Sequence, residues 1–359
     1  MICLVIIIMI SMRVIIEPSI IFSAAGRDGW ISYIIVLFVQ IIGIYFISKT
    51  IQNNKEKSFK EICEKRFGKA FTKVLIFMLF VYYLFRLILI DYEMQNFLLE
   101  AIYDQLNWSV AIIPVFLVIV YVAFKGERVI ARLTQLITGF VAFVLIYTLA
   151  ISCTNADFSN LLPVVAEGAG VIGKGVIYGF AQMGEFLTLY IFMENIKLKK
   201  ENLAKALTLT SVFVGIGIVA YYILFVAVFG EAAITLKEGI IRITQFLPSN
   251  DANLRVDGII TVLWIPISII MAAVYYLGSA KFLQNLFKIN KVWAYIIIFV
   301  IVFAFKFSPQ IGSAQIISIN LSYFAYFTIA LQVLMPVTIY FLTRKGGKGE
   351  KVFQENIKK

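Results

Sequence analysis

Residues 179–185 read Gly179-Phe180-Ala181-Gln182-Met183-Gly184-Glu185 and interrupt an apolar stretch that extends from residue 171 to residue 193. Two glycines, an amide and a carboxylate therefore stand in the middle of an otherwise apolar segment. Inside a lipid bilayer a charged side chain is costly and usually functional. Non-helical backbone is tolerated at that depth only where protein encloses it. The stretch predicts a broken helix with a polar site at the break.

The composition indicates a membrane protein that crosses the bilayer many times. Of the 359 residues, 61% are hydrophobic and 15% are charged, and the mean hydropathy is +0.91. We predict an all-α polytopic membrane protein, because apolar stretches of about 20 residues match the thickness of the hydrocarbon core. The ten predicted transmembrane helices are residues 1–24, 30–48, 72–90, 108–124, 133–152, 171–193, 207–229, 258–280, 292–307 and 316–342.

The chain has a net formal charge of +11, and its basic residues are concentrated in every second gap between the predicted spans. Lysine and arginine are concentrated after predicted spans 2, 4, 6, 8 and 10, whereas the gap at 91–108 is acidic and contains Asp91 and Glu93. Cytoplasmic loops of membrane proteins carry such an excess of positive charge. Both termini are therefore predicted to be cytoplasmic. The partner that this charge pattern indicates is the lipid bilayer and not a nucleic acid.

The ten spans form a single integral membrane domain over residues 1–359 that divides into two halves. The first five spans occupy residues 1–152 and the second five occupy residues 171–343, followed by a basic cytoplasmic tail at 344–359. Because five is an odd number, the second half starts on the opposite side of the membrane from the first. Any repeat between the halves is therefore inverted, as in many transporters.

The first span contains a second interruption, at Glu17-Pro18-Ser19. Proline removes a backbone donor and disfavours helix at the residue before it. Arg13 stands four residues before Glu17, so these two charges could neutralise one another. Broken spans at corresponding positions of two inverted halves indicate a binding site between them. The pattern predicts a LeuT-like 5+5 inverted repeat with broken helices 1 and 6.

Glu185 is the main candidate for a functional side chain. A carboxylate in mid-membrane suits a substrate ammonium, a coupling proton or a structural bond to a neighbouring helix. On predicted span 3, Arg86 could pair with Glu17, with Glu185, with Asp91 or with a substrate carboxylate, and we expect an internal pair. Ser19 is a secondary candidate at the first break.

The residue inventory disfavours an enzyme, a metal site and a cofactor. The chain contains no histidine, which is the commonest general base and metal ligand. Its three cysteines, Cys3, Cys63 and Cys153, lie far apart in the sequence and suggest neither a disulfide framework nor a metal site. A sodium site would need hydroxyl groups on predicted span 8, where only Ser268 stands at mid-depth.

The basic gap between predicted spans 2 and 3 contains Ser58-Phe59-Lys60-Glu61, which fits a helix capping box. The apolar residues that follow fall near one helical face, with lysines on the other. We expect a short amphipathic helix that lies on the inner leaflet. The alternative is a solvated linker.

A series of short motifs occurs in order along almost the whole chain. They are Pro18-Ser19 with Ala25-Gly26-Arg27-Asp28-Gly29-Trp30, Lys125-Gly126-Glu127-Arg128-Val129-Ile130-Ala131-Arg132, Asn160-Leu161-Leu162-Pro163-Val164, Gly184-Glu185, and Arg255-Val256-Asp257 with Trp264. The series resembles the spore germination permease family, the B subunits of GerA-type germinant receptors in the amino acid–polyamine–organocation superfamily.

The resemblance implies a LeuT-like subunit in the inner membrane of a bacterial spore, which binds a small nutrient such as an amino acid and triggers germination. It implies two protein partners, an A-type membrane subunit and a C-type lipoprotein subunit. The family's pocket among helices 1, 3, 6 and 8 corresponds here to Pro18, Tyr82, Arg86, Phe180, Gly184, Glu185 and Ser268, with Tyr82 and Ser268 assigned by helix position alone. The predicted ligand-binding set also includes Glu17, Ser19, Gly179 and Gln182.

Two functions share this predicted architecture. A nutrient sensor needs a fold with two states whose balance a ligand can bias, and an amino-acid permease needs the same two states for alternating access. The sequence offers little ion-coupling chemistry, which favours the sensor over the permease.

Overall fold

The computed structural model is built of helices, and no strand occurs in the part of the chain that it describes. It describes residues 1–11, 14, 17–54, 57–101, 108–166, 168–195, 202–236, 243, 256–308 and 312–343. The α-helices within these ranges are α1 (Ile2–Ile10), α2 (Glu17–Ala25), α3 (Gly29–Asn53), α4 (Phe59–Ala101), α5 (Trp108–Lys125), α6 (Glu127–Ser152), α7 (Ala169–Gln182), α8 (Leu189–Phe192), α9 (Leu203–Phe229), α10 (Val256–Phe287), α11 (Lys291–Lys306), α12 (Ser313–Leu321) and α13 (Tyr323–Thr343).

Helices coincide with all of the predicted apolar stretches, and several are long and apolar enough to cross a bilayer. Six such segments occur among the described residues: Glu17–Asn53, Phe59–Leu98, Glu127–Asn155, Leu203–Ile234, Val262–Phe287 and Tyr323–Thr343. The all-α class and the polytopic membrane character are thus in agreement with the sequence. Ten crossings, the inverted repeat and the position of the termini stay predictions.

The predicted interruption of the sixth stretch is present, whereas Glu17, Pro18 and Ser19 of the first stretch lie inside a helix. In the first apolar stretch α1 ends at Ile10 and α2 begins at Glu17. In the sixth, α7 ends at Gln182, and the chain continues through Met183 and Gly184 into a short 3-10 helix at Glu185–Thr188. Arg13, the predicted partner of Glu17, lies outside the described residues.

The two interrupted segments pack against each other. α2 lies along α7, and α1 contacts the 3-10 helix Glu185–Thr188. α7 lies close to α2 and α3 at Gly175. A Cβ added there would lie 2.5 Å from the Cβ of Ala25 and 2.5 Å from the hydroxyl of Ser32. The same hydroxyl donates to the carbonyl of Ile172 at 2.9 Å. α7 therefore packs closely on both α2 and α3.

α4 begins earlier than predicted span 3 and includes the expected amphipathic helix. Its capping box is formed, since the backbone N–H of Glu61 donates to the Ser58 hydroxyl and the N–H of Ser58 donates to the Glu61 carboxylate, both at 3.0 Å. The helix changes direction at Gly68, whose φ is +78°. The predicted position on the leaflet is wrong for Phe59, which is buried with its ring centroid 4.9 Å from that of Tyr190.

α4 also ends later than predicted, and this corrects the interpretation of residues 91–108 as an acidic external gap. Asp91 and Glu93 lie inside α4 and are buried. Asp91 is neutralised by Lys306 of α11, with 2.7 Å between the ammonium nitrogen and a carboxylate oxygen. A neutralised carboxylate no longer has to reach water, so the helix continues past it.

The tenth predicted stretch is two helices instead of one. α12 ends at Leu321 and α13 begins at Tyr323, with Ser322 between them at φ −101° and ψ −92°. The Ser322 hydroxyl and its backbone N–H both bond to the carbonyl of Ser318. No proline or glycine stands at this position, so the sequence carried no signal for the interruption.

The close contact at Gly175 generates a stability prediction. Replacing Gly175 with valine should lower the free energy of unfolding by about 1–3 kcal/mol, because the new side chain meets Ala25, whose Cβ cannot move without its backbone. The matched control is Gly173→Val in the same helix, where an added Cβ meets nothing within 4 Å. Denaturant unfolding in detergent micelles measures both. Equal destabilisation by the two variants would contradict the packing of α7 on α2.

Candidate functional site

Arg86 of α4 occupies the break at the end of α7. One terminal nitrogen of its guanidinium donates to the carbonyl of Gln182 at 2.6 Å and to a carboxylate oxygen of Glu185 at 2.9 Å, and the other donates to the carbonyl of Ala181 at 3.2 Å. Both charged side chains are buried, at 2% and 1% exposure. The expectation of an internal pair for Arg86 is confirmed, and Glu185 is the partner.

Gln332 of α13 holds the same break from the opposite side. Its amide nitrogen donates to the carbonyl of Phe180 at 2.9 Å and to that of Met183 at 2.6 Å. The last four carbonyls of a helix lack partners within it. Arg86 and Gln332 together bond the four consecutive carbonyls of residues 180–183. We refer to these two side chains as the carbonyl clamp.

The turn after α7 requires glycine at position 184. Gly184 has φ +125°, a conformation that side-chain-bearing residues rarely adopt. A Cβ at this position would lie 2.6 Å from the hydroxyl of Tyr82 and 2.8 Å from the amide nitrogen of Gln332. The turn is held further by Tyr83, whose hydroxyl donates to the carbonyl of Leu187 at 2.7 Å. The backbone of the break is thus fixed by side chains of α4 and α13.

A second carboxylate accompanies the pair of Arg86 and Glu185. Glu93 lies two helical turns from Arg86 on α4, is buried, and interacts electrostatically with both members of the pair. The ring of Tyr275 on α10 packs near the guanidinium, with 5.7 Å between the guanidinium carbon and the ring centroid. Arg86 therefore faces two carboxylates and one aromatic ring.

Ser268 of α10 faces α4 close to this group. Trp264, one turn before it, packs on Phe97 with 3.9 Å between ring centroids, and Tyr275, two turns after it, packs near Arg86. Residues spaced by 4, 7 and 11 share one face of a helix. Ser268 consequently lies between the two contact points, on the surface that α10 presents to α4.

Apart from Arg86, whose Nε also has none, three predicted site residues carry buried polar atoms that have no hydrogen-bond partner within the described ranges. These atoms are the hydroxyl oxygen of Tyr82, the amide nitrogen of Gln182 and the hydroxyl oxygen of Ser268. Buried polar groups in proteins are nearly always hydrogen-bonded, to protein, water or ligand. These three atoms are therefore the candidate ligand contacts, whereas Arg86 and Glu185 are already engaged with each other.

The remaining predicted site residues lie in α2 and α7 and differ in burial. Glu17 and Pro18 are buried at the start of α2, and Ser19 is partly buried. Gly179 permits close helix packing, since a Cβ there would lie 3.0 Å from a methyl group of Val36. These residues border the site, and Gly179 serves helix packing on α3.

Gln332 and Glu93 were not among the site residues predicted from the sequence. Gln332 is an amide within the apolar run of α13, and that contrast was a usable signal. Glu93 was placed outside the membrane because it follows Asp91 in an acidic stretch. The alternative pairing of Arg86 with Asp91 is wrong, since Asp91 pairs with Lys306. Within the described ranges no group of three or more acidic or cysteine side chains is arranged to hold a metal ion.

The buried pair of Arg86 and Glu185 leads to a double-mutant prediction. Arg86→Met leaves Glu185 and two carbonyls without their donor and should lower the free energy of unfolding by about 3–5 kcal/mol. Glu185→Leu should also destabilise, and the double variant should lose less than the sum of the single losses. Denaturant unfolding in detergent micelles measures the cycle.

The matched control is the ion pair of Lys281 and Glu127, which is more exposed, at 26% and 10% for the two side chains. Lys281→Met should cost about 1 kcal/mol or less, since partly solvated pairs contribute little. Additive losses in the cycle, or an equal cost at Lys281, would contradict the structural role of Arg86.

Comparison with known proteins identifies the family of the chain. The spore permease family model, described as "Spore germination protein", matches residues 1–315. Spore germination protein A2 of Bacillus subtilis (strain 168) is 23% identical over 326 residues, which cover 89% of this chain and 87% of that protein. The matched range includes both interrupted stretches, Arg86, Glu185 and Ser268, and it ends before Gln332.

Proposed function

This chain belongs to the spore germination permease family, and we propose that it is a nutrient-sensing membrane subunit of a spore germination receptor. The observation that carries the proposal is the pair of interrupted segments, packed side by side around buried polar atoms. The proposed location is the inner membrane of the spore, with both termini cytoplasmic. The proposed protein partners are an A-type membrane subunit and a C-type lipoprotein subunit.

The proposed ligand is a small nutrient that carries an amino group, such as an amino acid. The hydroxyls of Tyr82 and Ser268 and the amide of Gln182 supply hydrogen-bonding groups that have no partner in the described part of the chain. Glu93 places a second carboxyl group near Arg86, in addition to that of Glu185. Hydroxyl and amide donors suit a carboxylate, and an additional buried carboxylate suits an ammonium group.

The proposed mechanism is a shift between two arrangements of the break. A ligand changes such a balance only if it binds one arrangement better than the other. The carbonyl clamp connects the break to α4 and α13 through four hydrogen bonds. A change of backbone conformation at Met183 or Gly184 would therefore also move Arg86 and Gln332, and with them α4 and α13.

The test removes the candidate ligand contacts one at a time. In Tyr82→Phe and Ser268→Ala, each hydroxyl that is lost has no partner in the described chain, so protein levels should stay normal. We expect the nutrient concentration for half-maximal germination to rise roughly fivefold to tenfold, the loss of about one hydrogen bond to the ligand. A deletion strain is first screened against a panel of amino acids, nucleosides and sugars to identify the active nutrient. Spore germination across a dilution series of that nutrient then measures the half-maximal concentration for each variant.

The matched control is Tyr276→Phe on α10, a tyrosine whose ring packs on Tyr295 of α11 and not on the break. Its hydroxyl donates to the carbonyl of Tyr295 at 2.7 Å, so this variant should lower the unfolding midpoint or the protein level and leave the half-maximal concentration unchanged. An unchanged dose-response in both Tyr82→Phe and Ser268→Ala would refute the proposed contacts.

The alternative function is an amino-acid permease that works by alternating access, and the interrupted segments favour it equally. Purified chain in sealed vesicles distinguishes the two functions. Accumulation of a labelled amino acid against its gradient would establish the permease. Saturable binding of the same amino acid without accumulation is the outcome expected for a sensor.

A further inference from the structure

A cavity of about 530 Å³ lies between the ends of three helices, away from the site described above. Asn54, directly after α3, and Thr343, the last residue of α13, form one side of it. The first turns of α4 form the other side, where Ile62 provides an apolar surface. The charged lining consists of Lys57, Glu61, Lys65 and Arg66.

The charge of this lining is predominantly positive. Its one carboxylate, Glu61, is occupied in the capping box, where it accepts the backbone N–H of Ser58 at 3.0 Å. Lys57 and Lys65 are exposed, and neither forms an ion pair with another residue in the described ranges. Three cations around one cavity attract an anion, since a concave surface lined by one sign of charge concentrates its field.

The ends of the membrane segments place the cavity where phospholipid headgroups are expected. Two of the six candidate membrane segments, Glu17–Asn53 and Tyr323–Thr343, end at its rim. Next to the rim, Phe341 and Leu342 expose 56% and 48% of their surface, which suits contact with acyl chains. A basic cavity where membrane segments end, with apolar side chains beside it, matches the chemistry of a lipid with a negatively charged headgroup.

The chain's own tail is a poor occupant of this cavity. Residues 344–359 follow Thr343 directly and contain six lysines and arginines against two glutamates. Like charges would therefore meet if the tail entered the cavity, whereas a phosphate group would be attracted by both.

We propose that this cavity binds the phosphate of an anionic phospholipid from the cytoplasmic leaflet, with Lys57, Lys65 and Arg66 as the contacting cations. This site is separate from the germinant site and depends only on the predicted orientation of the chain. Its occupant ties the ends of α3, α4 and α13 together at the membrane surface.

The experiment measures lipid binding by the full chain in detergent. Native mass spectrometry with equal amounts of phosphatidylglycerol and phosphatidylcholine should show preferential retention of phosphatidylglycerol. The double variant Lys57→Gln with Lys65→Gln should reduce that preference roughly tenfold or more, because each lysine near an anionic surface contributes to the attraction. Lys65→Arg in the otherwise unchanged chain should retain the preference.

The matched control is Lys69→Gln with Lys205→Gln, which removes the same charge from two exposed positions that do not line the cavity. This pair should leave the preference unchanged, and unfolding midpoints of all variants confirm that they are folded. An equal loss in the control pair, or no loss in the cavity pair, overturns the proposal.

A separate arm identifies the source of the phosphate. Inorganic phosphate and glycerophosphoglycerol are added at millimolar concentration to the chain loaded with phosphatidylglycerol. Retention of the lipid supports a membrane-derived ligand. Displacement by inorganic phosphate alone overturns the lipid and assigns the cavity to a soluble anion, and absence of any phosphatidylglycerol preference overturns the proposal.

Discussion

Four backbone carbonyls at the end of α7 need hydrogen-bond donors that their own helix does not supply. In the hydrocarbon region an unsatisfied carbonyl costs several kcal/mol, so a break in mid-membrane survives only where other segments provide donors. Arg86 and Gln332 provide them, from helices that lie about a hundred or more positions away in the chain. The glycine at position 184 belongs to the same arrangement, since a Cβ there would lie 2.8 Å from the amide nitrogen of Gln332.

The clamp also determines the division of roles among the polar residues of the site. A buried guanidinium needs a negative partner, because an uncompensated charge in the interior is strongly destabilising. Glu185 meets this need, so its first role is to neutralise Arg86. Three other groups of the site have no hydrogen-bond partner within the described chain: the hydroxyls of Tyr82 and Ser268 and the amide nitrogen of Gln182. A ligand can bind to these groups without breaking the hydrogen bonds that hold the break.

Features set by neighbouring residues were predicted correctly, whereas features that depend on residues far away in the sequence were not. Glycine at positions 179 and 184 acts on backbone within a few residues, so the interruption of the sixth stretch was evident in the sequence. Asp91 and Glu93 looked like the beginning of a loop because charge normally ends a membrane segment. Asp91 is neutralised by Lys306, which stands 215 positions away, and Glu93 interacts electrostatically with Arg86. The split of the tenth stretch at Ser322 carried no proline or glycine signal at all.

The sequence by itself determined the membrane class, the order of the helices, the interruption of the sixth stretch and the family. Hydropathy, charge alternation and backbone preference are properties of short windows, and they can be evaluated without knowing which segments meet. Only the tertiary structure decided that Arg86 pairs with Glu185 rather than with Asp91, and that Gln332 completes the clamp. Hydrogen bonds and ion pairs form between groups about 3 Å apart. Which groups come that close, across 99 positions for Arg86 and Glu185 and 149 for Gln332 and Met183, is decided by how the helices pack.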